Sequence, residues 1–283
     1  MLFRNTKARL NRRKLSPDLE SEYWKRYRIR LKDKAAIDGI ARAGALVVRT
    51  LDMVQAGIRP GVTTDSLNAL VHEFTLENGA TPAPLGYRGF PKSVCVSVND
   101  EICHGIPGPR VIAEGDIVNV DVTSILDGWY ADANRTFLVG EVSSEARRLV
   151  QVTAECLARG MAAVRPGATL GEVGHAIQTH AEGAGYSVVR ELVGHGVGHA
   201  FHEPPQVNHT GRPGLGIVLV PGMVFTIEPM INQGGLGIKR LDDDWTVVTA
   251  DGSLSAQFEQ TVLVTEKGVR SLTPYPLETA ATA

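Results

Sequence analysis

The chain predicts a mixed α/β (α+β) fold built from two equivalent copies of one helix-and-strand pattern, and three observations carry that expectation. The first is composition: 283 residues, 43% hydrophobic and 21% charged with a net charge of -2, suit one or two globular domains with an ordinary buried core. The second is a repeat, because Arg59-Pro60-Gly61 returns 106 residues later as Arg165-Pro166-Gly167. The third is a second repeat at nearly the same interval: Glu114–Asp121 (EGDIVNVD) matches Pro221–Glu228 (PGMVFTIE), 107 residues on. Disordered, collagenous and coiled-coil classes are excluded on these grounds.

In chain order, the N-terminus MLFRNTKARLNRRK has no apolar stretch that could act as a secretory signal, and no apolar run approaches the roughly 18 residues of a membrane helix. A soluble, intracellular protein is expected. Residues 1 to 34 hold twelve Lys/Arg against four Asp/Glu, a net of +8, so the other 249 residues carry 17 bases and 27 acids. Such a segment reads as a solvated basic arm, as a contact for phosphate backbones such as ribosomal RNA, or as an Arg-rich targeting peptide. Each RPG is followed by Thr and then by apolar residues at helical spacing: Leu67, Leu70, Val71 and Phe74 in the first copy, Val173, Ala176 and Ile177 in the second. Each copy therefore reads as turn, N-cap, amphipathic helix. His72, His175 and His180 fall on these helices, where packed or exposed histidines are commonplace. Cys95, Cys103 and Cys156 match neither a zinc ribbon nor a disulfide framework, and free thiols in a reducing compartment are expected.

The second repeat reads as a turn leading into a buried, β-branched strand that ends in a carboxylate, Asp121 in one copy and Glu228 in the other. A buried ionised acid needs a counter-charge or takes up a proton, so the two acids point to a shared cation. Asp132 follows Asp121 by 11 residues, the span of a hairpin that turns both aspartates toward one point. Glu259 sits in the apolar run Ala256–Val264, read as another buried strand, and His195 in Gly194-His-Gly-Val-Gly198 adds one nitrogen donor. Four carboxylates and one imidazole carry too much charge for a single divalent ion. Two ions about 3.5 to 4 Å apart would neutralise them, which predicts a dinuclear hydrolase rather than a structural zinc site. The glycines between His195 and His199 argue against a helical zinc pair, and the segment lacks the Lys-Ser/Thr of a phosphate loop. His199 is read as a loop residue, and His209 as a loop residue near the cleft rim.

The chain resembles the type I methionine aminopeptidases over residues 36 to 273. The matching segments are Gly86–Cys95, Ser97–Pro107, Gly115–Asp121, Gly194–Gly198, Phe201–Glu203, Phe225–Pro229 and Ser255–Glu259, in family order and spacing. The resemblance implies the pita-bread fold, two pseudo-symmetric halves with antiparallel sheet inside and helices outside. It implies a catalytic domain at 36–273, flanked by a basic extension at 1–35 and a tail at 274–283. It implies removal of the initiator methionine from nascent proteins with a small penultimate residue.

Carried over residue by residue, the resemblance makes Asp121, Asp132, His195, Glu228 and Glu259 the metal ligands, Asp132 and Glu259 bridging. It makes His104 and His202 substrate-contacting catalytic residues, and Glu228 a proton carrier. Tyr87, Phe90, Cys95, Phe201 and Trp245 match a slot for the methionine side chain, aromatic and sulfur groups that suit a thioether. Cys103 stands either near the next pocket or as a small buried hydrophobe. The ions are Co, Mn, Fe, Ni or Zn, and Asn99, Glu101 and Ser255 match a monovalent cation site for Na or K. Nascent-chain N-termini are the expected partners, with a ribosome or rRNA contact through the arm 1–34, no membrane, a monomer and a cytoplasmic location. Asn134 stands where relatives often have Ser, and Gln260 replaces a frequent His beside Glu259, a change expected to affect hydrogen bonding to the ligands. Two alternatives share this architecture: an Xaa-Pro aminopeptidase or prolidase, whose additional N-terminal domain is not expected here, and a non-catalytic binding module, which would lack ligands that this chain keeps.

Overall fold

The computed structural model describes residues 17–277; residues 1–16 of the basic arm and 278–283 of the tail lie outside them. The first half comprises α1 (Pro17–Tyr27), α2 (Lys34–Gly57), α3 (Thr64–Glu77), and the strands β1 (Thr81–Pro82), β2 (Cys95–Val98), β3 (Glu101–Cys103), β4 (Ile117–Leu126) and β5 (Trp129–Leu138). Asp33 caps α2 by accepting from the Ala36 N–H, and Thr63, the residue after the first RPG turn by two, caps α3 through the Ser66 N–H. β4 and β5 form a hairpin whose two turn residues, Asp127 and Gly128, both have positive φ (52° and 79°). That is the turn an Asp-Gly pair favours, and it sets the register. β1 and β2 lie along the other edge of β4, all antiparallel.

The second half repeats the plan with α4 (Ser144–Ala163), α5 (Leu170–Gly183), β6 (Ser187–Val188), β7 (Gly194–Gly196), β8 (Glu203–Val207), β9 (Val224–Ile227), β10 (Met230–Asn232), β11 (Ile238–Arg240), β12 (Val247–Thr249), β13 (Ser255–Gln257), β14 (Gln260–Val264) and β15 (Val269–Ser271). Its main sheet runs β15-β14-β9-β7-β8, so the β9–β14 pair answers to the β4–β5 hairpin. The equivalence extends to isolated bridges, Thr63 with Val111 and Thr169 with Val218. Two expectations are corrected. Asp121 lies inside β4 rather than at a strand end, because β4 continues to Leu126 to pair with β5 and β1. Glu259 does not lie in a continuous strand: β13 pairs with β10 and β14 with β9, and the chain changes partners at Phe258 and Glu259.

The helices lie outside the sheets. α2 crosses the β4–β5 hairpin with Ile40, Ala43, Val47 and Leu51 buried, a 3.6-period face. Two of its glycines are required by close approach: a Cβ at Gly39 would overlap the Trp129 ring, and one at Gly44 the Leu272 carbonyl oxygen. The halves join along β5 and β14, where the Thr261 hydroxyl donates to the Asp132 carbonyl (2.8 Å) and the Glu259 N–H to the Asn134 carbonyl (3.1 Å). The tail contributes here, since the buried Tyr275 hydroxyl lies 2.7 Å from the Asn134 carbonyl oxygen and 2.8 Å from that of Glu259. The described part of the extension is not a solvated arm. Tyr23, Ile29 and Leu31 are buried in the core, and the Tyr23 hydroxyl donates to the Val218 carbonyl (2.8 Å). None of the described helices is long and apolar enough to cross a membrane.

Candidate active site

The hairpin register places Asp121 opposite Asn134 and Asp132 opposite Thr123, so both aspartates share one face of the first sheet, diagonal to each other. The Thr123 hydroxyl donates to Asp132 Oδ1 (2.7 Å). Glu259, at the break between β13 and β14, has Oε2 held by the Asn134 side-chain amide (2.8 Å). Glu228 directly follows β9, its backbone N–H donating to His209 Nε2 (3.2 Å). His195, in β7, has its backbone N–H bonded to the Thr226 hydroxyl (2.9 Å), which itself donates to Glu228 Oε1 (2.7 Å). One hydroxyl thus fixes two of the five residues.

Ring nitrogens settle the tautomer of His195. Nδ1 lies 3.0 Å from the Gly196 carbonyl, which only accepts, so Nδ1 carries the hydrogen and the Nε2 lone pair faces Asp132 Oδ2 at 3.6 Å and Glu228 Oε1 at 3.7 Å. Burial pushes the imidazole pKa down to about 4, so it stays neutral near pH 7. A lone pair aimed at two carboxylates is repulsive unless a cation lies between them. The carboxylates carry the same signature. Burial raises Asp121 to about 7 and Glu228 to about 8, and it lifts Asp132 and Glu259 well above the usual range, with neighbouring acids adding to the shift. Asp121 Oδ1 and Glu259 Oε1 are buried and accept no hydrogen bond. Donor atoms of Asp132, His195 and Glu259 all lie within 4.8 Å of one another, the spacing of ligands around one ion. Hard oxygen donors with one imidazole, two oxygens left without partners and an excess of negative charge fit divalent cations.

These five residues form the floor of a cleft of about 510 Å³ that also takes in His104, His202, Cys95 and Cys103. Its wall is aromatic: the Tyr87 and Phe201 rings are 4.8 Å apart, Phe90 meets Trp245 edge-on at 5.1 Å, and His202 stacks on Tyr87 at 5.2 Å. His202 lies 4.1 Å from the His195 ring, and His104 6.1 Å from Trp245. Burial holds His104 at about 4 and His202 at about 3, with the positive form of His195 disfavouring charge on His202 further. His104 also has a left-handed backbone (φ 58°), a strained conformation at the cleft. Burial pushes the Cys95 and Cys103 thiols up, so neither is a ready nucleophile. Asn99, Glu101 and Ser255 gather away from the cleft lining, the Asn99 carbonyl accepting from the Ser255 N–H at 2.9 Å.

Two sequence expectations, those for His209 and Gln260, turn out differently. His209 is no rim residue: it is buried, its pKa is pushed down to about 3 by burial, and its neutral Nε2 anchors the Glu228 backbone. Gln260 turns away from the ligands to the Tyr275 carbonyl (3.2 Å). His199 packs on Trp129 and is not among the clustered donors. His72 meets the Ser93 hydroxyl and His180 pairs with Glu155. From the sequence, Thr123 carries no assigned role, Asn134 stands only as a departure from relatives, and Thr226 carries none. The Asp127-Gly128 turn signals the first two, since a two-residue loop there pairs 123 with 132 and 121 with 134. Thr226, two residues before Glu228, is betrayed only by strand alternation.

Comparison with known proteins agrees with this geometry. The model of metallopeptidase family M24 matches residues 38–266. Methionine aminopeptidase A of a Synechocystis species is 53% identical over 246 residues, covering 87% of this chain and 97% of that protein. The crystal structure of methionine aminopeptidase from Rickettsia prowazekii superposes with a TM-score of 0.86 at 48% identity, over 87% of this chain and all (100%) of that one. The prolidase from Pyrococcus horikoshii shares the fold alone, at 22% identity with a TM-score of 0.71 and 65% of its chain covered. Two halves of matching topology, a cleft floored by four carboxylates and an imidazole, and these likenesses place the chain among the type I methionine aminopeptidases of metallopeptidase family M24, with the pita-bread fold.

Proposed function

We propose that the chain hydrolyses the first peptide bond of peptides and nascent proteins that begin with methionine followed by a small residue. The observation that carries this reading is the meeting, in one cleft, of a cation-fitting donor set containing two unpartnered carboxylate oxygens with an aromatic, sulfur-lined wall. Asp121, Asp132, His195, Glu228 and Glu259 would hold two divalent ions. Such ions, when bound, supply Lewis acidity toward a carbonyl oxygen and make water more acidic. The chain's own residues do the rest. Tyr87, Phe90, Cys95, Phe201 and Trp245 receive the thioether side chain and exclude water from it. His104, held neutral by burial, hydrogen-bonds the amide that follows the scissile bond. His202, also neutral, donates to the carbonyl oxygen on which negative charge develops. The Glu228 carboxylate takes a proton from the attacking water and passes it to the leaving amine nitrogen.

Co, Mn, Fe, Ni and Zn all suit these ligands, and supply in the cell selects among them. Asn99, Glu101 and Ser255 would hold a monovalent ion, Na or K, through backbone oxygens. The bases of residues 1–34 other than the buried Lys32 contact the ribosome or its RNA, and the protein acts as a monomer in the cytoplasm. The test is to incubate the metal-loaded protein with Met-Ala-Ser and, separately, with an Xaa-Pro peptide. Free methionine from the first alone is expected. Cleavage of the second substitutes a proline-specific peptidase, and cleavage of neither substitutes a binding module. Elemental analysis of protein purified without added metal identifies the ions.

A further inference from the structure

We propose that Lys32, one of the twelve bases of the N-terminal segment, is a positioning residue for catalysis: its ammonium, paired with the Glu203 carboxylate, holds the loop at 198–203 so that Phe201 and His202 face the metal centre. The inference rests on the methionine-releasing function above, in which His202 touches the substrate. Lysine is almost never fully buried without a partner, yet Lys32 is 2% exposed. Its Nζ lies 2.7 Å from Glu203 Oε2, and its own backbone N–H is tied to the Gly222 carbonyl (2.7 Å). The ammonium is therefore held from a fixed point on the second half.

Glu203 turns that attachment into loop geometry. Its second oxygen, Oε1, accepts from the backbone N–H groups of His199 (2.5 Å) and Ala200 (3.1 Å), closing the loop back on itself. Gly198 opens the loop with φ 137°, its carbonyl accepting from the Tyr130 N–H (3.0 Å). The Lys32 stem packs there, since a Cβ on Gly198 would stand 3.1 Å from Lys32 Cε. His202 immediately precedes Glu203 in sequence, and its ring is stacked on Tyr87 and set 4.1 Å from His195. Without Lys32, the Glu203 carboxylate, only 10% exposed, is left without its counter-charge. A lone buried charge turns to water or takes up a proton, and either change releases the two amides that define the loop.

The test uses the full, metal-loaded chain. Lys32→Met is expected to bind its ions with unchanged stoichiometry and affinity, while kcat on Met-Ala-Ser falls tenfold or more and amide exchange at His199 and Ala200 accelerates. In a His202→Ala background the same substitution lowers kcat by less than twofold further, because the residue acts through His202. Lys32→Arg, which keeps the charge, retains at least a third of the wild-type kcat. If Lys32→Met does not fold, Glu203→Gln is measured in the same two backgrounds, with the same pattern expected. The proposal is overturned if Lys32→Met stays within twofold of wild type, if it loses metal, or if its full loss persists in the His202→Ala background. A wild-type protein that releases no methionine overturns the functional reading itself, a separate and distinguishable result.

Discussion

Stripping divalent ions from the folded chain leaves Asp121, Asp132, Glu228 and Glu259 buried against one another, and the folded state answers by binding protons that the unfolded chain does not hold. A carboxylate whose folded pKa is raised stabilises the fold fully below its unfolded pKa, near 4, and that stability is lost as pH rises toward the folded value. Histidines act in the opposite sense. His104 and His195 near 4 and His202 and His209 near 3 are depressed, so they cost stability as pH falls below about 6.5 and do nothing above it. The informative window is therefore pH 6.5 to 8, where only the acids titrate. Glu228, held up to about 8, alone costs the metal-free fold about 2 kcal/mol across that window, and Asp132 and Glu259 add with the same sign. For a chain of this size, about 2 kcal/mol lowers Tm by roughly 3 to 4 °C. Calorimetric melts of chelator-treated protein should show that fall, and added divalent ion should abolish it, with its stabilisation growing as pH rises. A metal-free Tm that is level or climbs from pH 6.5 to 8 would refute the premise that these acids are crowded and uncompensated without ions.

Asp121→Ala and Glu259→Ala should each abolish methionine release together with metal binding, whereas His202→Ala keeps its metal and loses rate; full activity with stoichiometric metal in either acid variant would remove that acid from the ligand set. Thr226→Val deletes the hydroxyl shared by the His195 N–H and Glu228 Oε1 and should weaken divalent-ion binding about 10- to 100-fold by calorimetry, while an unchanged affinity would make the hydroxyl incidental. Gly44→Ala drives a methyl into the Leu272 carbonyl and should cost about 1 to 3 kcal/mol in urea unfolding. Gly183→Ala, at the end of α5 with open space around its Cβ, should be neutral or slightly stabilising, and equal losses for the two would show that packing beneath α2 does not decide the difference.

Much of this was legible residue by residue. The RPG-Thr repeats marked the starts of α3 and α5, since the turn, the capping residue and the apolar stripe are all local signals. The spacing of Asp121 and Asp132 announced a hairpin, and its Asp-Gly turn held the register as well. Less was visible where a partner comes from afar. Asp121 looked like a strand end because the repeat stops there, but pairing with β1 and β5 carries the strand onward. Glu259 looked continuous with its apolar neighbours, although two sheets compete for the segment and part at that residue. His209 and Lys32 carry no local mark of burial: one is enclosed by chain from the second half, and the other by Glu203, 171 positions away.

The sequence by itself determined the doubled plan, the helix starts, the hairpin and the kinds of donor atoms present, because each follows from residues within a turn or two of one another. Only the tertiary structure decided which lone pair of His195 faces the acids, which carboxylate oxygens go unpartnered, and that a basic residue of the N-terminal segment braces the loop bearing His202. Those properties are set by distances of a few ångströms between groups remote in the chain, and by the loss of water around them. Pattern and propensity record neither.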